Sequence, residues 1–189
     1  ITVHEVAHQW WAHQVIGADV LGATMLSESM SEYVSLKVLE HQQGKDQMRI
    51  FLKKALDDYL LQRTMERKRE NALMYNDGQG YIHYQKGSLV LYALSDYIGE
   101  ENLNGALKKY VEKVQFQEPP YTTSIEMVQY LRDVTPDSLQ YTIKDMFESI
   151  TLYRNRIVDA KTTELENGTY QVDFEFEVSK YRNDEKGKR

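Results

Sequence analysis

Apolar positions along most of the chain recur every three to four residues, the spacing of one buried helix face. They predict a helix over 2–16 that stops near Gly17, then a connector over 18–24 (ADVLGAT). A second helix is expected from Thr24 to Gln43, with Gly44 as its C-terminal cap. Over 45–69 the apolar stripe is Met48, Phe51, Leu52, Ala55, Leu56, Tyr59 and Leu60. The run "RTMERKRE" that follows reads as a solvated helix end. "YNDGQG" (75–80) has the chemistry of a loop. Helices over 81–98, ending near Gly99, and over 101–116 come next. After the break "EPPY", short helices are expected at 124–134 and 136–149. Ser124 and Thr135 are their expected N-caps, with Pro136 in the favoured first helical position.

The period then changes from 3.6 to 2. In "TYQVDFEFEVS" (169–179), Tyr170, Val172, Phe174, Phe176 and Val178 fall on one face of a strand. "NG" at 167–168 predicts a two-residue hairpin turn, with 152–165 as the partner strand. The closing "NDEKGKR" is expected to be frayed. The pattern therefore divides the chain into a helical unit, 1–150, and a hairpin, 151–189, making it mainly α with a C-terminal β-hairpin. A lone hairpin is marginal in water, so its apolar face is expected to pack against further protein.

Composition narrows the chemistry. The 189 residues carry a net charge of −6, which argues against nucleic acid as a partner, since that requires a basic face. There is no cysteine, so any metal must be held by histidine or carboxylate. No apolar run is long enough to span a bilayer and no signal-peptide pattern is visible. The chain begins at Ile1 without a methionine and reads as N-terminally truncated; its localisation is not written in these residues.

The first ten residues, "ITVHEVAHQW", hold the sharpest signal. On a helix His8 lies about 40° round from His4 and one turn along, so both imidazoles can face one metal ion. Glu5 lies about 60° beyond His8, beside the metal rather than on it, where a base for an activated water belongs. "HEVAH" is the H-E-x-x-H pattern of zinc peptidases. A third ligand is needed. The next helix offers Glu28 and Glu32 in "MLSESMSEY", among the apolar neighbours Leu26, Met30, Tyr33 and Val34. His13 falls too far round the helix to join that metal, and His41 suits a helix end. Trp10 and Trp11 read as core or cleft wall.

"HEVAHQWW" followed by "LSESMSEY" resembles the aminopeptidase N family of gluzincin zinc peptidases, a group that also includes leukotriene hydrolase. The resemblance implies the helical half of a gluzincin (thermolysin-like) catalytic domain. It implies one zinc ion on His4, His8 and Glu28, with Glu5 as general base and a peptide as substrate. Glu32 matches the position where gluzincins place a carboxylate hydrogen-bonded to the first histidine. "YIHYQKGSLVLYAL" (81–94) resembles the family's Y-x-K-G element, which makes Tyr84 the oxyanion donor and Tyr81 and His83 its auxiliary candidates. Three departures stand out: nineteen residues separate His8 from Glu28 where the family has eighteen, Ser27 replaces asparagine, and Ser29 replaces glycine.

The family's amine-binding G-x-M-E-N element is absent from these residues, so endopeptidase cleavage stands beside aminopeptidase cleavage. "HQVIGADVLGATMLSES" and "EPPYTTS" look closest to a bacterial subgroup joined to an ABC-type permease-like membrane protein. That likeness adds a third alternative, a peptidase-like module serving a transporter. Because Ile1–Val3 cannot make a full turn before His4, the chain by itself is expected to bind zinc weakly and to hydrolyse little.

Overall fold

The computed structural model describes residues 1–183; the charged tail expected to fray lies, beyond Asn183, outside the described residues. Seven α-helices and one hairpin are assigned among them: α1 (Thr2–Ala7), α2 (Met30–Gln43), α3 (Met48–Met65), α4 (Gly87–Ile98), α5 (Glu100–Val114), α6 (Ser124–Val134), α7 (Gln140–Ile143), β1 (Ile150–Glu164) and β2 (Tyr170–Asn183). One core joins the helices, with Met30, Ile82, Leu91, Leu103, Met127 and Phe147 fully buried. α1 lies on α2, α2 on α4, and α5 on α6. No helix among the described residues is long and apolar enough to cross a membrane.

The first helix is shorter than its periodicity predicts. After Ala7 the i→i−4 ladder gives way to tighter bonds, Gln9 N–H to Val6 C=O and Trp10 N–H to Ala7 C=O. It then widens to i→i−5 bonds, His13 N–H to His8 C=O and Val15 N–H to Trp10 C=O. Ala12 takes a positive φ of 132° within this stretch. The apolar spacing still brings Trp11 and Val15 into the core, while Trp10 stays half exposed.

α2 and α4 end at Gly44 and Gly99 as expected. Each is preceded by a π-helical turn, Met25–Ser29 and Tyr81–Lys86. Such turns occur mostly as single insertions and often at functional sites. Here they carry Glu28 and Tyr84. The two turns meet where Gly87 faces Ser29, and a Cβ at Gly87 would stand 2.1 Å from Ser29 Oγ and 2.5 Å from its Cβ. Ser29 Oγ in turn donates to His83 C=O at 2.7 Å. Gly87→Ala is therefore expected to cost about 1–3 kcal/mol of stability through overpacking. An unchanged urea midpoint in that variant would contradict this packing.

The charged run after α3 is only partly solvated. α3 ends at Met65 and the chain extends from Glu66, which returns Glu70 to the body with only 7% of its surface exposed. Glu70 accepts from Tyr59 Oη (2.9 Å), Arg63 Nε (2.5 Å) and Lys86 Nζ (2.7 Å). Burial alone would raise its carboxyl pKa, but Lys86, Arg63 and Tyr59 hold it below the ordinary value. Buried charge is tolerated only with such partners. The cluster ties α3 to the segment that carries Tyr84.

Two cap expectations and one first-turn expectation are corrected. Thr123, not Ser124, caps α6 by accepting from Glu126 N–H at 3.3 Å, because Ser124 Oγ is committed to Met74 C=O. Thr135 turns its hydroxyl back to Leu131 C=O at 2.7 Å. Pro136 stays extended (ψ 149°), so the following turn starts at Asp137. The 136–149 region divides into that short turn, α7 and a π turn over Lys144–Glu148.

The hairpin pairs antiparallel from Ile150↔Asn183 to Glu164↔Tyr170, with an irregularity between Ile157 and Asp159. Its turn is longer than two residues. Leu165 N–H bonds Thr169 C=O, Gly168 N–H bonds Leu165 C=O, and Gly168 sits at φ 76°. This is the three-residue loop in which glycine takes the left-handed position. Buried Asp145 receives both Lys180 and Arg182 and so anchors β2 to the helices. Tyr170, Val172, Phe174, Phe176 and Val178 are all exposed.

Candidate metal centre

α1 and the residue that caps its C-terminus present His4 and His8 on one side, and the π turn before α2 brings Glu28 against them. His4 Nε2 lies 3.1 Å from His8 Nε2 and 3.2 Å from Glu28 Oε2, and His8 Nε2 is 3.6 Å from the same oxygen. Among the described residues these three form a group able to hold a metal ion. The spacing is informative. Donor bonds of about 2.0–2.1 Å to a tetrahedral ion set neighbouring donors about 3.3–3.4 Å apart.

The other ring nitrogens are spoken for. His4 Nδ1–H donates to Glu32 Oε2 at 2.8 Å, since a carboxylate only accepts. His8 Nδ1–H donates to Trp11 C=O at 2.8 Å, with Ser31 Oγ also near at 3.1 Å. Both protons are thereby held on Nδ1, which leaves two Nε2 lone pairs and a carboxylate oxygen converging on one point. Such an arrangement of acceptors is repulsive without a cation between them, so the donor set fits a tetrahedral N,N,O metal. Trp11 C=O had no sequence signal, because it becomes available only where the α1 ladder breaks. His4 is 8% exposed, anchored by Glu32 and by burial despite its place in the first helical turn.

Glu5 is exposed on α1 between the two histidines. Tyr84, 38% exposed, brings its ring centroid to 5.9 Å from that of His4. Burial raises its phenol pKa above the ordinary value, and the hydrogen bond and charge of Glu28, then the charges of Glu5 and Glu32, raise it further. Tyr84 thus stands beside His4 and Glu28.

The auxiliary candidates separate. Tyr81 is buried against Tyr59 with ring centroids 5.9 Å apart, and its hydroxyl lies 3.4 Å from Gln79 Nε2. It faces the Glu70 cluster, whose charge helps push its phenol up to about 12 after the larger effect of burial. The structure does not bring it to the ligands. His83 is buried and sits edge-on to Tyr84, with centroids 4.4 Å apart. Burial lowers its pKa against the opposing pull of Glu28. His13 Nδ1 is 2.6 Å from His8 C=O, outside the cluster. Ser27 Oγ stands 3.5 Å from Glu28 Oε1, whereas Ser29 is the buried tie to His83 already described.

Two imidazoles and a carboxylate at this spacing, on a helical body, form a group able to hold a metal ion. Residues 1–149 match the peptidase family M1 domain, and the chain belongs to that family. Human glutamyl aminopeptidase is 26% identical over 134 residues, covering 62% of this chain and 13% of that protein. Among solved structures, an M1 zinc metallopeptidase from Deinococcus radiodurans, a mutant bound to a Tyr-Ser-Ala substrate, aligns with a TM-score of 0.59 and 22% identity. It covers 77% of this chain and 32% of that one. A further structure of the Deinococcus radiodurans M1 zinc metallopeptidase gives 0.57 and 23%, over 76% and 31% of the respective chains. At that identity the likeness is one of fold. The chain spans about a third of those structures and a smaller share of the human relative.

Proposed function

We propose that this chain carries the zinc-binding and catalytic residues of an aminopeptidase-type M1 metallopeptidase. The observation that supports it most strongly is the triangle of His4 Nε2, His8 Nε2 and Glu28 Oε2, with edges of 3.1, 3.2 and 3.6 Å and no proton-bearing nitrogen inside. Nitrogen donors and tetrahedral spacing favour zinc over calcium or magnesium, which prefer oxygen shells. The aminopeptidase reading leans on the human relative named glutamyl aminopeptidase.

Acidification of water and polarisation of the scissile carbonyl are the chemistry zinc supplies when bound. Glu5 takes the proton from the attacking water as its oxygen bonds to the carbonyl carbon. Glu5 then delivers that proton to the amine nitrogen as the C–N bond breaks. Tyr84 donates its hydroxyl to the carbonyl oxygen as negative charge develops there. Glu32 and Trp11 C=O hold the imidazoles in the tautomer that keeps Nε2 unprotonated.

Comparing turnover of peptides with free and with blocked N-termini tests the reading. Hydrolysis confined to free N-termini is expected, and equal turnover of blocked peptides would replace it with endopeptidase cleavage. Glu32→Gln is expected to weaken zinc binding by about 10–100-fold, because the amide is a poorer acceptor for His4 Nδ1–H. A zinc titration of the two proteins side by side checks this, and equal affinities would remove Glu32 from the account.

A further inference from the structure

The loop "NDGQG" reads as ordinary turn chemistry, yet Asn76 is 2% exposed and its carboxamide is fully engaged. Asn76 Oδ1 accepts from Gln79 N–H at 3.1 Å, which fixes the orientation of the amide. Its Nδ2 reaches His83 Nδ1 at 2.8 Å, Thr24 Oγ1 at 3.0 Å and Gln79 C=O at 3.4 Å. Asn76 C=O also accepts from Gly22 N–H at 2.9 Å. One residue thus joins the connector before Glu28, the threonine that opens its π turn, and the π turn of Tyr84.

The contact with His83 has a chemical consequence. An amide nitrogen only donates, so His83 Nδ1 accepts and the ring proton resides on Nε2. That ring meets Tyr84 edge-on, with an interplanar angle of 70°. The backbone of the same residue is pinned by Ser29, the neighbour of Glu28.

We propose that Asn76 and His83 form a positioning pair for Tyr84: Asn76 locks His83 as its Nε2–H tautomer, and the locked ring sets the phenol against the Glu28 side of the site. This deepens, and rests on, the reading of Tyr84 as oxyanion donor. His83 acts through Tyr84 and does not itself touch substrate.

The first readout needs no substrate. Nitrogen-15 histidine side-chain spectra of the chain are expected to show His83 protonated on Nε2 alone. Asn76→Asp, nearly the same shape but only an acceptor at that atom, is expected to move the proton to Nδ1. In the zinc-loaded protein the same variant should lower kcat by about tenfold to a hundredfold, with KM and zinc content unchanged, the scale of a small misplacement of a reacting group. In a Tyr84→Phe background Asn76→Asp should cost nothing further. His83→Leu, which removes ring and acceptor without adding a buried charge, should show the same loss and the same non-additivity, so a failure of Asn76→Asp to fold leaves the test intact. A wild-type His83 carrying its proton on Nδ1 overturns the proposal. So do fully additive losses in the Tyr84→Phe background, while leaving Tyr84 as the oxyanion donor. A Tyr84→Phe protein with undiminished kcat overturns the oxyanion reading and this proposal together.

Discussion

Glu5→Gln is expected to lower kcat by about 10²–10⁴-fold, the range that a positioned general base contributes. Zinc uptake should be unchanged. His4 and His8, the imidazoles proposed to hold the metal, turn inward toward Glu28, whereas Glu5 is exposed and takes no part in the triangle of donors. Glutamine keeps the length and the hydrogen-bonding oxygen but accepts no proton at neutral pH. Steady-state kinetics with metal analysis of the same samples separates the two effects. A variant that keeps its turnover would place the base elsewhere, and one that loses zinc would make Glu5 a structural support of the metal.

Tyr84→Phe is expected to cost about 10²–10³-fold in kcat, as loss of one preorganised oxyanion donor does. KM should change little, since the hydroxyl acts on charge that exists only in the transition state. The phenol is held protonated by burial and by the carboxylates around it, Glu28 first. Equal losses in kcat and kcat/KM are the expected signature; a raised KM with intact kcat would make Tyr84 a ground-state contact.

Much of this was legible in the residues. "HEVAH" and the first glutamate of "SESMSE" mark the three side chains that the structure brings together, and the four-residue step from Glu28 to Glu32 leads to the carboxylate that meets His4 Nδ1. Helical spacing with Gly44 and Gly99 marks two of the longer helices correctly. What spacing does not carry is the hydrogen-bond register. A pattern of apolar residues is equally consistent with i→i−4 and locally with i→i−5 bonding, so the π turns bearing Glu28 and Tyr84 were invisible. The same blindness extended α1 past Ala7 and hid the Trp11 carbonyl. Charge runs mislead differently. "RTMERKRE" is polar apart from Met65, but one glutamate at its end is buried by Arg63, Lys86 and Tyr59, partners separated from it by seven to sixteen residues. Asn76 was missed because turn composition explains an asparagine completely until its tertiary acceptors are seen.

His4, His8 and Glu28 are proposed to hold one zinc ion together. The most direct measurement is X-ray absorption at the zinc edge of the chain at saturating metal, repeated on Glu28→Ala. A four-coordinate ion with two imidazoles and oxygen ligands at about 2.0–2.2 Å is expected, with weaker binding when Glu28 is removed. Zinc bound without imidazole scattering, or bound identically in Glu28→Ala, would contradict it.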